Sequence, residues 1–154
     1  MTSPAPALTP EHERISALVE LMKQEQQFLV SADADGLARL TPRKAALVQE
    51  LAQLARERHA ALGKAGFAPS EAGMEPWLAT QDDAARAAWT GLLAQTAEAK
   101  ELNRVNGMLI NRQMAHTQTV LTALRTPASG AAPALYGAKG QTFGGGPSRG
   151  FVAG

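Results

Sequence analysis

The side chains able to do chemistry are few, and their spacing does not assemble a reaction centre. His12, His59 and His116 fall on three different expected helices with neither an HExxH motif nor an i, i+4 pair, so no metal site is expected. The chain has no cysteine, which excludes a disulfide framework, a thiol nucleophile and a Cys-ligated metal and fits a reducing cytoplasm. Carboxylates are plentiful on the first two expected helices, but Glu20, Glu25, Glu50 and Glu57 read as solvated faces or inter-helix ion pairs, and no Ser-His-Asp arrangement follows from spacing. Gly144-Gly145-Gly146-Pro147-Ser148-Arg149-Gly150 lacks the Gly-Lys-Ser/Thr ending of a phosphate loop, with no apolar strand before it and no helix after it. Neither an enzyme nor a cofactor is expected, which leaves surfaces that bind.

The element that would carry such a surface runs from about residue 81 to 125. It is free of proline, and at about 1.5 Å per residue it is a helix on the order of 65 Å long, more than a small core can wrap. Thr80 with Asp83 is expected to cap its start, and Thr126-Pro127 its end. Stepping three and four residues from Trp89 gives Leu92, Thr96, Ala99, Asn103, Asn106, Ile110, Gln113, Thr117, Val120 and Leu124. That is a seam of period 3.5, as in a helical hairpin or coiled coil, widened by Leu93, Leu102, Val105, Leu109 and Leu121. Its middle is polar. Asn103, Asn106 and Gln113 read either as a register lock between helices of this chain or as a groove floor that hydrogen-bonds a visiting segment.

Composition points the same way. Of the large hydrophobic share, 31 residues are Ala and 18 Leu, against 6 Val and 2 Ile, which favours helix and disfavours strand. Residues 1–8 read as a disordered leader. A first helix is expected over 10–31, started by Thr9-Pro10-Glu11 and carrying Ile15, Leu18, Met22, Glu25 and Leu29 on one stripe. Asp33-Ala34-Asp35-Gly36 reads as a turn, and a second helix over 37–62 carries Leu47, Leu51, Leu54 and Ala61. A connection over 63–80 follows, pinned by Trp77. The fold class expected is therefore all-α, an antiparallel three-helix bundle or coiled-coil hairpin with a very long third helix over 81–125. Residues 127–154, with 8 Gly, read as a flexible tail carrying a short motif at 134–137, Ala-Leu-Tyr-Gly.

Charge is uneven. Residues 1–101 hold 14 acids and 10 bases, net −4, while residues 102–154 hold 5 bases and no acid, net +5. Five bases over that length are too dilute for nucleic acid, which wants clustered Lys and Arg. No secretory signal and no membrane insertion are expected, since no stretch approaches eighteen apolar residues.

Taken together, the hairpin with LVQELAQLARER at 47–58, the glycine-containing connection, the tryptophan-led helix with Asn103-x-x-Asn106 and Leu109-Ile110, and Tyr136-Gly137 in the tail resemble the FlgN family of flagellar export chaperones over roughly residues 10–142. The resemblance implies a cytoplasmic, non-enzymatic protein that binds the C-terminal helices of the hook-filament junction proteins FlgK and FlgL and delivers them to the export gate protein FlhA. It implies a cargo surface over 102–124, with Leu102, Asn103, Asn106, Leu109, Ile110, Gln113, Val120 and Leu124 as candidate contacts, and a gate-docking element at Leu135 and Tyr136. The alternative is a coiled coil that satisfies its long seam with a second copy of itself.

Overall fold

The computed structural model describes residues 3–125. The described residues are helical with no strand: α1 (Ala5–Val30), α2 (Ala34–Lys64), a 3-10 turn (Glu71–Gly73), α3 (Met74–Leu78) and α4 (Asp83–Arg125). The long helix is thus the fourth, because one short helix forms inside the expected connection. The expected tail, with its Leu135-Tyr136 motif, lies outside the described residues. Contacts divide the chain into two compact units, Met1–Ile110 and Asn111–Gly154.

Three boundaries differ from the sequence expectation, each for a local reason. α1 begins a turn early, at Ala5 rather than near Pro10, so the expected leader is in part helix. Pro4 and Pro6 stand where amides have no intrahelical partner, and Leu8, 3 % exposed, draws this turn onto the core. Pro10 is then tolerated inside the helix because the turn before it is held by packing. α2 likewise begins at Ala34, so Asp33-Ala34-Asp35-Gly36 is its first turn and not a loop. Asp33 is the N-cap, its Oδ1 accepting from the Gly36 amide at 2.9 Å. Gly36 is needed for space: a Cβ there would lie 2.9 Å from the Phe28 ring. The turn itself is residues 31–33, where the Asp33 amide donates to the Phe28 carbonyl and Ala32 takes a left-handed φ of 57°. α4 is capped by Asp82, whose Oδ1 accepts from the Ala85 amide at 3.0 Å. Thr80, the expected cap, instead donates to the Trp77 carbonyl and closes α3.

Within Met1–Ile110, α1 and α2 run antiparallel, as the pairs Glu11–Arg58, Arg14–Glu50 and Glu25–Lys44 show. α4 runs parallel to α1, with Gly91 beside His12, Glu98 beside Lys23 and Asn106 beside Met22. The core joins Ile15, Leu18 and Met22 of α1 to Leu47 and Leu62 of α2, and to Trp89, Leu92 and Ala99 of α4. Met74, Trp77 and Leu78 of α3 fill one end, so Trp77 does pin the connection. Gly73 lets the connection close, since its Cα approaches the Ala68 carbonyl where a Cβ would sit 2.1 Å from the oxygen.

Candidate functional site

The seam of α4 changes character along its length. Trp89, Leu92 and Ala99 are buried against α1 and α2, as their spacing requires. Next comes a polar layer. Asn106 is 1 % exposed; its Nδ2 donates to the Met22 carbonyl at 2.9 Å and to Glu25 Oε1 at 2.8 Å. The Lys44 ammonium reaches both Glu25 oxygens, at 3.0 and 3.1 Å, and Asn103 Oδ1 at 3.4 Å. One carboxylate therefore gathers α1, α2 and α4 at a single level. Asn106 Oδ1 is buried there without a hydrogen-bond partner among the described residues. An unsatisfied buried acceptor costs about 1–3 kcal/mol, so this layer contributes register more than stability. At Asn106 the amide serves the chain's own helices and is not open to a visitor.

The other candidate contacts are placed differently. Leu102 and Leu109 are half-buried and Asn103 is exposed, while Ile110 is 38 % exposed and Met108 50 %. In the second unit, residues 111–125 of α4 are exposed almost throughout. Gln113 is half-buried and engaged, whereas Met114, Val120, Leu121 and Leu124 are exposed at 66, 42, 40 and 78 %. Four large apolar side chains within fifteen residues of helix form an apolar row left exposed among the described residues. Leu135 and Tyr136 lie outside the described residues.

A second polar cluster, for which no spacing in the chain is a signal, fastens the other end of the first unit. Arg58 is 4 % exposed and meets Glu11, also 4 % exposed, through Nε–Oε1 at 2.7 Å and Nη2–Oε2 at 3.2 Å. Its Nη1 donates to Glu71 Oε2 at 2.8 Å, and its guanidinium carbon stands 4.8 Å from the centre of the Trp89 ring. His59 Nε2 is 2.6 Å from the same Glu71 oxygen. Burial works against the charge of Arg58, but the hydrogen bonds it donates to Glu11 and Glu71 outweigh this and hold its pKa above the ordinary value. At Glu71 burial pushes the carboxyl up, and the bonds from His59 and Arg58 overcome this and leave it below the usual range. This is a structural clasp joining α1, α2, α4 and the 3-10 turn.

Nothing else among the described residues resembles a reaction centre. No group of three potential metal ligands occurs among them. Glu25 and Glu50 form the inter-helix pairs their positions suggested, Glu20 pairs with Lys23 on its own helix, and Glu57 accepts from Gln53. No described helix is long and apolar enough to cross a membrane. In comparison with known proteins, the family model described as FlgN protein matches residues 1–143. No curated protein and no solved structure matches.

Proposed function

The chain belongs to the FlgN family of flagellar export chaperones, and from that premise we propose that it holds the C-terminal helices of hook-filament junction proteins of the FlgK and FlgL type in the cytoplasm, prevents their early assembly and passes them to the export gate protein FlhA. The observation that carries this reading is the exposed apolar row Met114, Val120, Leu121 and Leu124 on the last turns of α4. An amphipathic cargo helix laid along that row covers it. Burying what these four partly covered side chains still expose is worth roughly 3–7 kcal/mol gross. Association itself costs about 4–15 kcal/mol, so the row needs help. Leu102, Asn103, Leu109, Ile110 and Gln113 are the further contacts proposed on the same helix. Asn106 then acts by positioning α4 in a bundle of the three long helices, and Leu135 and Tyr136 dock the gate.

Isothermal titration with the C-terminal segment of a FlgK-type protein, with light scattering of each component, tests this. Saturable one-to-one binding is expected. Leu124→Asp and Val120→Asp should each weaken it by about 2 kcal/mol or more, roughly thirty-fold, with helicity by circular dichroism retained. Unchanged affinity in these folded variants refutes the cargo assignment. A dimer that cargo does not dissociate would establish the self-associating coiled coil instead.

A further inference from the structure

Within Met1–Ile110, a second apolar feature is formed by residues outside the exposed row of α4. A cleft of about 260 Å³ opens between α2 and α4, floored by α1. Its floor is Ile15, Leu18 and Met22, and its walls include Val48 of α2 and Thr96 and Ala99 of α4. Val48 is 49 % exposed, and Leu93, 47 % exposed, continues the α4 wall by helical spacing with Thr96 and Lys100. Val48 lines the cleft itself, and Leu93 stands one helical turn before Thr96 on the same face of α4.

The charged side chains lining the cleft are both cations, Lys44 and Lys100. Lys44 is paired with Glu25. Lys100 has no carboxylate partner among the described residues: the nearby Glu98 faces Lys23 and Glu101 faces Arg104. Asn103, also on the wall, uses its Oδ1 toward Lys44 and leaves its NH2 group unengaged among the described residues. An apolar slot whose rim offers an ammonium and an amide donor is complementary to an apolar side chain followed closely by a carboxylate.

We propose that this cleft is a docking site for an acidic amphipathic helix of a partner protein, which seats one bulky apolar side chain over Ile15, Leu18 and Met22 and pairs a carboxylate with Lys100 and the Asn103 amide. The volume suits one leucine- or phenylalanine-sized side chain. From Leu93 to Asn103 the wall is about 15 Å long, which matches a contact of two to three helical turns. The site shares Asn103 with the further cargo contacts but none of Met114, Val120, Leu121 and Leu124, and it does not depend on that row.

The test uses the full chain, labelled with nitrogen-15, and two blocked synthetic peptides of about three turns: a leucine/glutamate amphipathic helix and the same peptide with lysine for glutamate. The glutamate peptide is expected to shift the amides of Val48, Thr96, Lys100 and Asn103 saturably and the lysine peptide to leave them in place. Lys100→Glu should weaken the glutamate peptide about ten-fold or more, as loss of one charge-assisted bond implies, and Val48→Lys by a similar factor. Both positions are exposed, so the variants are expected to keep their helicity. Absent or unsaturable shifts, shifts confined to residues 111–125, equal response to the two peptides, or indifference to both substitutions each overturn the proposal. Because cargo binding is read out by Leu124→Asp and Val120→Asp, failure at the cleft leaves that assignment standing, and the reverse also holds.

Discussion

Replacing Glu11 by leucine strips the buried guanidinium of Arg58 of its bidentate partner while leaving helix propensity nearly unchanged. Two of its donors, Nε and Nη2, then point into a region where both residues are 4 % exposed. Breaking a buried ion pair from one side costs about 3–5 kcal/mol, because the surviving charge is left uncompensated. Glu71 still accepts from Nη1, and the Trp89 ring still faces the guanidinium, which places the expected loss near the lower end, at about 3 kcal/mol. Against a total stability of roughly 5–15 kcal/mol that is a large fraction, and it lowers the melting temperature by about 12 °C or more. Urea unfolding followed by circular dichroism measures it directly. The companion variant, Glu11→Leu with Arg58→Met, removes both charges and should regain most of the loss. A single substitution costing less than about 1 kcal/mol, or a double variant no more stable than the single, would refute the reasoning, since either means that the pair is not desolvated in the way its burial states.

Asn106→Ala should lower stability by about 1–3 kcal/mol, as Glu25 and the Met22 carbonyl each lose a donor; urea midpoints check it. Gly73→Ala drives a Cβ to 2.1 Å from the Ala68 carbonyl and should disrupt the connection and lower the melting temperature. Gly107→Ala meets nothing within 4 Å inside a helix and should raise stability by about 0.5–1 kcal/mol. Because the Glu71 carboxyl is held low, its contribution to stability is complete above its ordinary value of 4.5 and is lost as pH falls through the depressed folded value. With the side chain 59 % exposed the effect is small, and Glu71→Gln should flatten that part of the acid limb in unfolding curves taken across the carboxylate range.

The periodic elements were legible in the sequence because period is a property of residue type and spacing alone. The stripes Ile15-Leu18-Met22 and Trp89-Leu92-Ala99 are buried as their spacing required. Boundaries were less legible where two local signals compete. Thr9-Pro10 looks like a helix start, yet it lies inside α1, since packing of Leu8 makes an earlier turn more favourable than the proline makes it unfavourable. Asp-Ala-Asp-Gly reads as a turn by composition, and what decides otherwise is Phe28, eight residues away, packing over Gly36. The Arg58 clasp could not be read at all. Glu11 and Arg58 are 47 residues apart, and only the antiparallel register of α1 and α2 brings them together.

The polar middle of the seam shows how far the sequence could go with function. Asn103 and Asn106 stand three residues apart on one helix, and the same residue type left two readings open. Geometry separates them. Asn106 faces the α1 backbone and Glu25 and fixes register, whereas Asn103 stays exposed beside Lys44 on the wall of the α2–α4 cleft. The reason lies in helical phase: with 100° between successive residues, a step of three places the two amides about 60° apart, enough to turn one inward and leave the other at the rim. A substitution at Asn106 therefore acts first on stability, and one at Asn103 on whatever docks beside it. Asn103→Ala should leave the unfolding free energy from urea titration within about 0.5 kcal/mol of the parent, and a larger loss would place Asn103 in the register layer with Asn106.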